Sequence, residues 1–270
     1  MKIVSSIFWL LLSGSIVLLT GCANPPGMLQ ATPVTQNQFV TESDEPSARR
    51  RARLRVELAG GYFSQGQVTV ALDEVKQALN IDPTYVEAYN MLGLIYMRLN
   101  DVALAEDSFR RALNINTYDS NVAHNYGWLL CQQARYEESF KLFTQGLANP
   151  TYTGKAKTLM ALGVCQVNAG DTVAAEQSLM RSFELDAENP VTGYNLAKLL
   201  YAREDLTRAQ FYARRINNSD MANAETLWLG IKTERKLQNS EAMLQLARQL
   251  KNRFPQSAQA VKYEKGLFNE

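Results

Sequence analysis

Six small residues recur along this chain at nearly constant spacing: Ala59, Gly93, Gly127, Gly163, Ala197 and Gly230. Their separations are 34, 34, 36, 34 and 33 residues. A period of this length implies stacked supersecondary units, each too small to bury its own apolar face without its neighbours. Twelve residues after each mark stands a second small residue: Ala71, Ala105, Ser139, Ala175, Ala209 and Ala242. Helices whose axes cross at 8–10 Å need small side chains there. The residue before each mark is large and apolar (Leu58, Leu92, Tyr126, Leu162, Leu196, Leu229). Sixteen after it come Val75, Phe109, Phe143, Leu179, Ala213 and Leu246. These spacings place apolar residues on two helices per unit. Gln65-Gly66, Asn100-Asp101, Gly170-Asp171, Glu204-Asp205 and Gln238-Asn239 mark the turns between them.

The residues Tyr89, Leu92, Gly93, Tyr96, Ala105, Phe109 and Ala112 resemble the tetratricopeptide signature. The preceding unit supplies Leu58, Ala59, Tyr62, Ala71, Ala78 and Pro83, while later units drift, with Gln166 and Thr233 at the aromatic position. The resemblance implies an all-α, right-handed superhelical solenoid of six helix pairs over residues 49–255. Residues 256–270 are expected to form a capping helix, since a solenoid needs a polar-faced end.

The first 21 residues have a different character. Lys2 precedes an apolar run from Ile7 to Leu19 that is too short to span a membrane and reads as a secretory leader. Leu19-Thr20-Gly21-Cys22 resembles a bacterial lipobox, which implies cleavage and lipid attachment at Cys22. Ala23, rather than Asp, follows it, and resemblance to Gram-negative sorting rules then implies the outer membrane. Residues 22–48 are polar and carry Pro25, Pro26, Pro33 and Pro46, a composition expected of a tether. About 26 flexible residues span roughly 25–30 Å.

Loss of the leader removes Lys2 and leaves 27 basic and 27 acidic residues. That balance argues against nucleic acid as a partner. The one basic run, Arg49, Arg50, Arg51, Arg53 and Arg55, reads either as a solvated helix face or as a contact for head groups or an acidic partner.

With one cysteine assigned to lipid, Cys131 and Cys165 remain, and the chain has a single histidine. That is too few ligands for a structural metal site. The two thiols lie 34 residues apart on first helices of adjacent units. Adjacent helices can bring Cα atoms to the 4.4–6.8 Å of a disulfide, and the alternative is two buried free thiols. No catalytic set emerges, because the paired carboxylates fall in the tether or on exposed helix positions. No cofactor and no enzyme activity are expected.

In tetratricopeptide arrays the first helices line the concave side. The marks then assign Val56, Phe63, Asn90, Leu94, Met97, His124 and Trp128 to a partner-binding surface in the first three units. Its apolar character fits an amphipathic helix or an extended protein segment. A carboxylate-holding set of Lys and Asn is represented only by Asn90 and Lys198.

The helix from Tyr89 to Tyr96, the run from Ala105 to Leu113, and the segment from His124 to Cys131 resemble the PilW/PilF family of type IV pilus biogenesis lipoproteins. The Cys131/Cys165 pair fits that pattern too. The resemblance implies a monomeric pilotin that binds the pilus secretin and promotes its outer-membrane localisation and multimerisation. The alternative is a lipoprotein scaffold for outer-membrane protein assembly or for docking peptidoglycan enzymes.

Overall fold

The computed structural model describes residues 45–268. The expected leader, the lipid site at Cys22 and the tether up to residue 44 lie outside the described residues. The rest is thirteen helices, with no strand among the described residues: α1 (Ser47–Ser64), α2 (Val68–Ile81), α3 (Val86–Arg98), α4 (Val102–Ile115), α5 (Ser120–Gln132), α6 (Tyr136–Leu147), α7 (Lys155–Asn168), α8 (Thr172–Leu185), α9 (Pro190–Ala202), α10 (Leu206–Asn217), α11 (Ala224–Lys236), α12 (Ser240–Arg253) and α13 (Ala258–Glu264). Successive helices pair as α1/α2 through α11/α12, and α13 rests on α11 and α12. This is the six-pair solenoid.

Each mark sits mid-way along a first helix, facing its own second helix. The size of its partner decides whether the mark is glycine or alanine. Gly93 faces Phe109, Gly127 faces Phe143, Gly163 faces Leu179, and Gly230 faces Leu246 together with the closer Asn217 side chain of α10. A Cβ on Gly93 would lie 2.7 Å from Phe109 Cδ1, and one on Gly163 would lie 2.6 Å from Leu179 Cγ. Where the matching position holds only Val75 or Ala213, the mark is Ala59 or Ala197, buried without crowding. The second small residues, Ala71, Ala105, Ser139, Ala175 and Ala209, are fully buried where the two helices cross.

The turns inside the pairs share one device. Gly66, Asn100, Ala134, Gly170, Glu204 and Gln238 all take positive φ, between 56° and 87°. This left-handed residue ends the first helix. Asp101, Asp171, Asp205 and Asn239 then accept a hydrogen bond from a backbone N–H in the first turn of the second helix. Four of the five dipeptides noted in the sequence are thus a stop followed by a cap, whereas Gln65-Gly66 supplies only the stop and Gln67 makes no side-chain cap. The third turn, at Ala134, carries neither residue type and gives no such signal.

The long step in the period is absorbed between α6 and α7. The connection is held rather than slack. Asn149 Oδ1 accepts from the N–H and the hydroxyl of Thr151, and Lys155 Nζ donates to the Pro150 carbonyl. The Tyr152 hydroxyl reaches back to Thr158 Oγ1 at 3.0 Å.

Candidate functional site

First helices touch the next first helix along the array, from α1 with α3 to α9 with α11. Second helices pack mainly on the first helices either side of them. The closer spacing of the first helices makes theirs the inner side of the curve, and α13 extends it past α11.

On the front of this inner side, the apolar residues are seated but not hidden. Val56 and Phe63 of α1 are half-buried against a core that includes Ala59, Val75, Tyr85 and Ile95. Leu94 and Met97 of α3 are half-buried on Phe109, Val122 and Leu129. Trp128 of α5 is half-buried against Cys131, Phe143 and Leu162. Each gives part of its surface to the core and leaves part exposed. Asn90 is also half-buried, and its Oδ1 accepts from Asn125 Nδ2 at 2.9 Å. Its amide oxygen therefore links α3 to α5.

His124 departs from the expected surface. It is 6% exposed and bonded to α7, and it contributes only to the floor of the small recess between the starts of α3, α5 and α7. Its Nδ1 lies 2.9 Å from Thr158 Oγ1, and its ring lies 6.0 Å from that of Phe143. Burial first, and then the charge of Lys157, pushes its pKa down to about 4. A residue three before the mark sits on the flank of the first helix, where adjacent units are closest. His124 therefore belongs to the junction between units, with Thr158 and Tyr152.

Farther along the same two helices, Cys131 and Cys165 form a disulfide, with Cα atoms 5.8 Å apart. Ser139 Oγ lies 3.5 Å from Cys165 Sγ and donates to the Gly127 carbonyl.

The basic run at the start of α1 is largely engaged within the fold. Arg49 pairs with Asp82, donates to Thr84 Oγ1 and lies 5.2 Å above the Tyr85 ring. Arg53 pairs with Glu45 at 3.3 Å and with Glu57 at 2.8 Å, and Arg55 pairs with Glu74 at 2.7 Å. Arg49, Arg53 and Arg55 are thus held in ion pairs within the fold, neither simply solvated nor free for a partner.

Three of the recesses on the described residues bear on this surface. One of about 230 Å³ lies between the starts of α3, α5 and α7, lined by Glu87, Asn90, Asn125 and Lys157. One of about 290 Å³ lies between α9 and α11, among Tyr194, Lys198, Tyr201, Trp228 and Lys232. The largest, about 750 Å³, lies on the loop side around Phe183, Pro190, Tyr212 and Met221. The sequence register misses Trp228 and Lys232, which fall two residues either side of Gly230 rather than at the positions counted for the groove. Among the described residues no group of three or more His, Cys, Asp or Glu is placed to hold a metal. No described helix is long and apolar enough to cross a membrane.

Comparison with known proteins follows the same lines. Two repeat models match, one described as "TPR repeat" over residues 61–100 and one as "Tetratricopeptide repeat" over residues 86–119. The type IV pilus assembly protein PilF of Pseudomonas aeruginosa is 25% identical over 246 residues, covering 91% of this chain and 93% of that protein. A solved structure of P. aeruginosa PilF superposes with a TM-score of 0.74 at 23% identity, over 82% of this chain and all of that one. The crystal structure of PilW, described as a widely conserved type IV pilus biogenesis factor, gives a TM-score of 0.72 at 28% identity. It covers 78% of this chain and 97% of PilW.

Proposed function

We propose that this chain, a tetratricopeptide-repeat homologue of the type IV pilus assembly protein PilF, is a pilotin-type lipoprotein of the outer membrane. In this reading it is anchored through Cys22, holds a segment of the pilus secretin on its inner face, and promotes secretin localisation and multimerisation. One observation carries the reading: the similarity to PilF runs along nearly the whole chain instead of one repeat. Isolated repeats match many unrelated scaffolds, whereas a full-length match preserves the arrangement of units.

The geometry suits the task. Phe63, Leu94, Met97 and Trp128 are apolar, half-exposed and presented by consecutive first helices. Such a strip fits the apolar face of an amphipathic helix or an extended segment. Aromatic side chains act as anchors, and methionine adapts to the shape of its partner. Several acyl chains on one cysteine hold a protein firmly at a membrane. Tethering then makes capture of the next secretin subunit a local event at high effective concentration. The disulfide and the His124–Thr158 contact keep α5, which carries Trp128, fixed against α7.

Replacing Cys22 by Ser tests the lipid address. Fractionated cells carrying Cys22→Ser should show the chain released from the outer membrane and fewer secretin multimers there. Undiminished outer-membrane multimers would sink the reading.

A further inference from the structure

The largest recess lies at the edge where one helix pair hands over to the next, away from the front strip. Its walls come from the ends of α8 and α10 and from the connections that follow them. α10 has 12 residues against 14 in α8, and the chain from 218 to 223 then crosses over to α11. Tyr212 and Ile216 line the resulting recess of about 750 Å³, with Phe183 and Pro190. Past Pro190 and Met221 it continues into a second recess of about 390 Å³ along Val191 and Tyr194. The two together form an elongated, largely apolar groove. Phe183 and Tyr212 meet edge to face at 5.0 Å. Ser219 Oγ donates to the Ile216 carbonyl at 2.8 Å and accepts from the Met221 N–H at 3.2 Å. These bonds pin the connection and hold Met221, 56% exposed, at the groove.

The rim is acidic. Asp186, Glu188 and Asp220 line it, and among the described residues no Lys or Arg lies within ion-pair distance of them. Acids between units elsewhere are paired: Glu106 holds Arg135, Glu176 holds Arg203 and Glu234 holds Arg214. The cation that lines the recess, Arg215, is committed to its wall. Its Nε donates to the Ala187 carbonyl at 3.0 Å, and its guanidinium lies 5.7 Å from the Phe183 ring centre.

An exposed apolar groove bordered by charge marks an interaction site, and here the sign of the rim selects the ligand. Anionic lipid and nucleic acid are repelled. A second copy of this chain is a poor occupant, because Arg49, Arg53 and Arg55 of its basic run are held in ion pairs. We infer that the groove docks a basic segment of another protein. One aliphatic or aromatic side chain of that segment sits among Tyr212, Ile216 and Met221, and Lys or Arg on either side of it face Asp186, Glu188 and Asp220. The apolar seat anchors, methionine adapts to shape, and the acids set register. The ligand leaves Phe63, Leu94, Met97 and Trp128 free, so the inference stands whether or not these hold the secretin.

The test uses the full-length chain in non-ionic detergent and a fluorescein-labelled dodecapeptide with Lys-Leu-Lys and Lys-Phe-Lys steps in a Gly-Ser background. Anisotropy is read against empty micelles. The peptide should bind saturably, and salt should weaken binding about tenfold between about 50 and 300 mM NaCl. Glu188→Gln combined with Asp220→Asn should weaken it about tenfold, as should Gln for Lys in the peptide. Met221→Ser should weaken it about threefold. Asp73→Asn, which neutralises an exposed acid on α2, should leave it unchanged. Circular dichroism should show every variant as helical as the native chain. The inference falls if the peptide does not bind saturably, if the neutralised rim binds it as tightly as the native one, or if Asp73→Asn weakens it as much. It also falls if the native chain sediments as a dimer that the rim variant dissociates, since the occupant would then be a second copy.

Discussion

His124 and Thr158 meet across the α5/α7 junction in the same register as Cys131 and Cys165. Each pair is 34 residues apart, and the two contacts lie seven residues from one another on both helices. Seven residues are two helical turns, so both contacts lie on one flank of α5. A hydrogen bond fixes one end of the junction and a covalent bond the other. This is also the junction that carries the long step in the repeat.

The hydrogen-bonded end should make stability depend on pH. The His124 pKa is about 4 in the fold against 6.5 ordinarily. The unfolded chain therefore takes up the proton first as pH falls. The contribution is intact above about pH 6.5 and is lost between about 6.5 and 4, amounting to about 2 kcal/mol by pH 5. Urea midpoints at pH 7.5 and pH 5 should fall further for the native chain than for His124→Gln. Equal falls would refute this assignment.

The covalent end closes a loop of 34 residues. Chain-entropy arguments give such a cross-link about 3–4 kcal/mol. Thiol labelling of the unfolded, unreduced chain should find neither Cys131 nor Cys165, and a reductant should lower the denaturation midpoint accordingly. Immediate labelling without reductant would show two free thiols instead.

The match between mark and partner predicts a coupled pair. Gly93→Ala should cost about 1–2 kcal/mol, crowding against Phe109 outweighing the better helix propensity of alanine. In a Phe109→Val background, which reproduces the Ala59/Val75 pairing, that cost should vanish. A double-mutant cycle measures it, and an equal cost in both backgrounds would contradict the packing account.

The fold was readable because its determinants are periodic. A buried small residue is demanded wherever two helices cross, so the marks in the sequence are the crossings in the structure. The third turn escaped notice because Ala134 adopts a left-handed conformation that its type does not advertise. The binding surface was only partly readable. Counting from the marks fixes which helix presents a residue, but not whether the next unit covers it. Trp128 and His124 are four residues apart on α5, yet one is half-exposed and the other is enclosed by α7. Trp228 and Lys232 escaped for a related reason. The last unit is closed by α13 and the residues after it, so Leu227 and Ile231, at the counted positions, are buried, and Trp228 is itself only 6% exposed under Phe268.

The central claim is that the inner face of the front units captures the pilus secretin. Affinity capture from detergent-solubilised envelopes, with the native chain and Trp128→Ala as parallel baits, tests it most directly. Secretin measured by mass spectrometry should be enriched on the native chain and fall about tenfold on the variant, as loss of an aromatic anchor implies. Secretin absent from the native bait, or retained equally by both, would contradict the account.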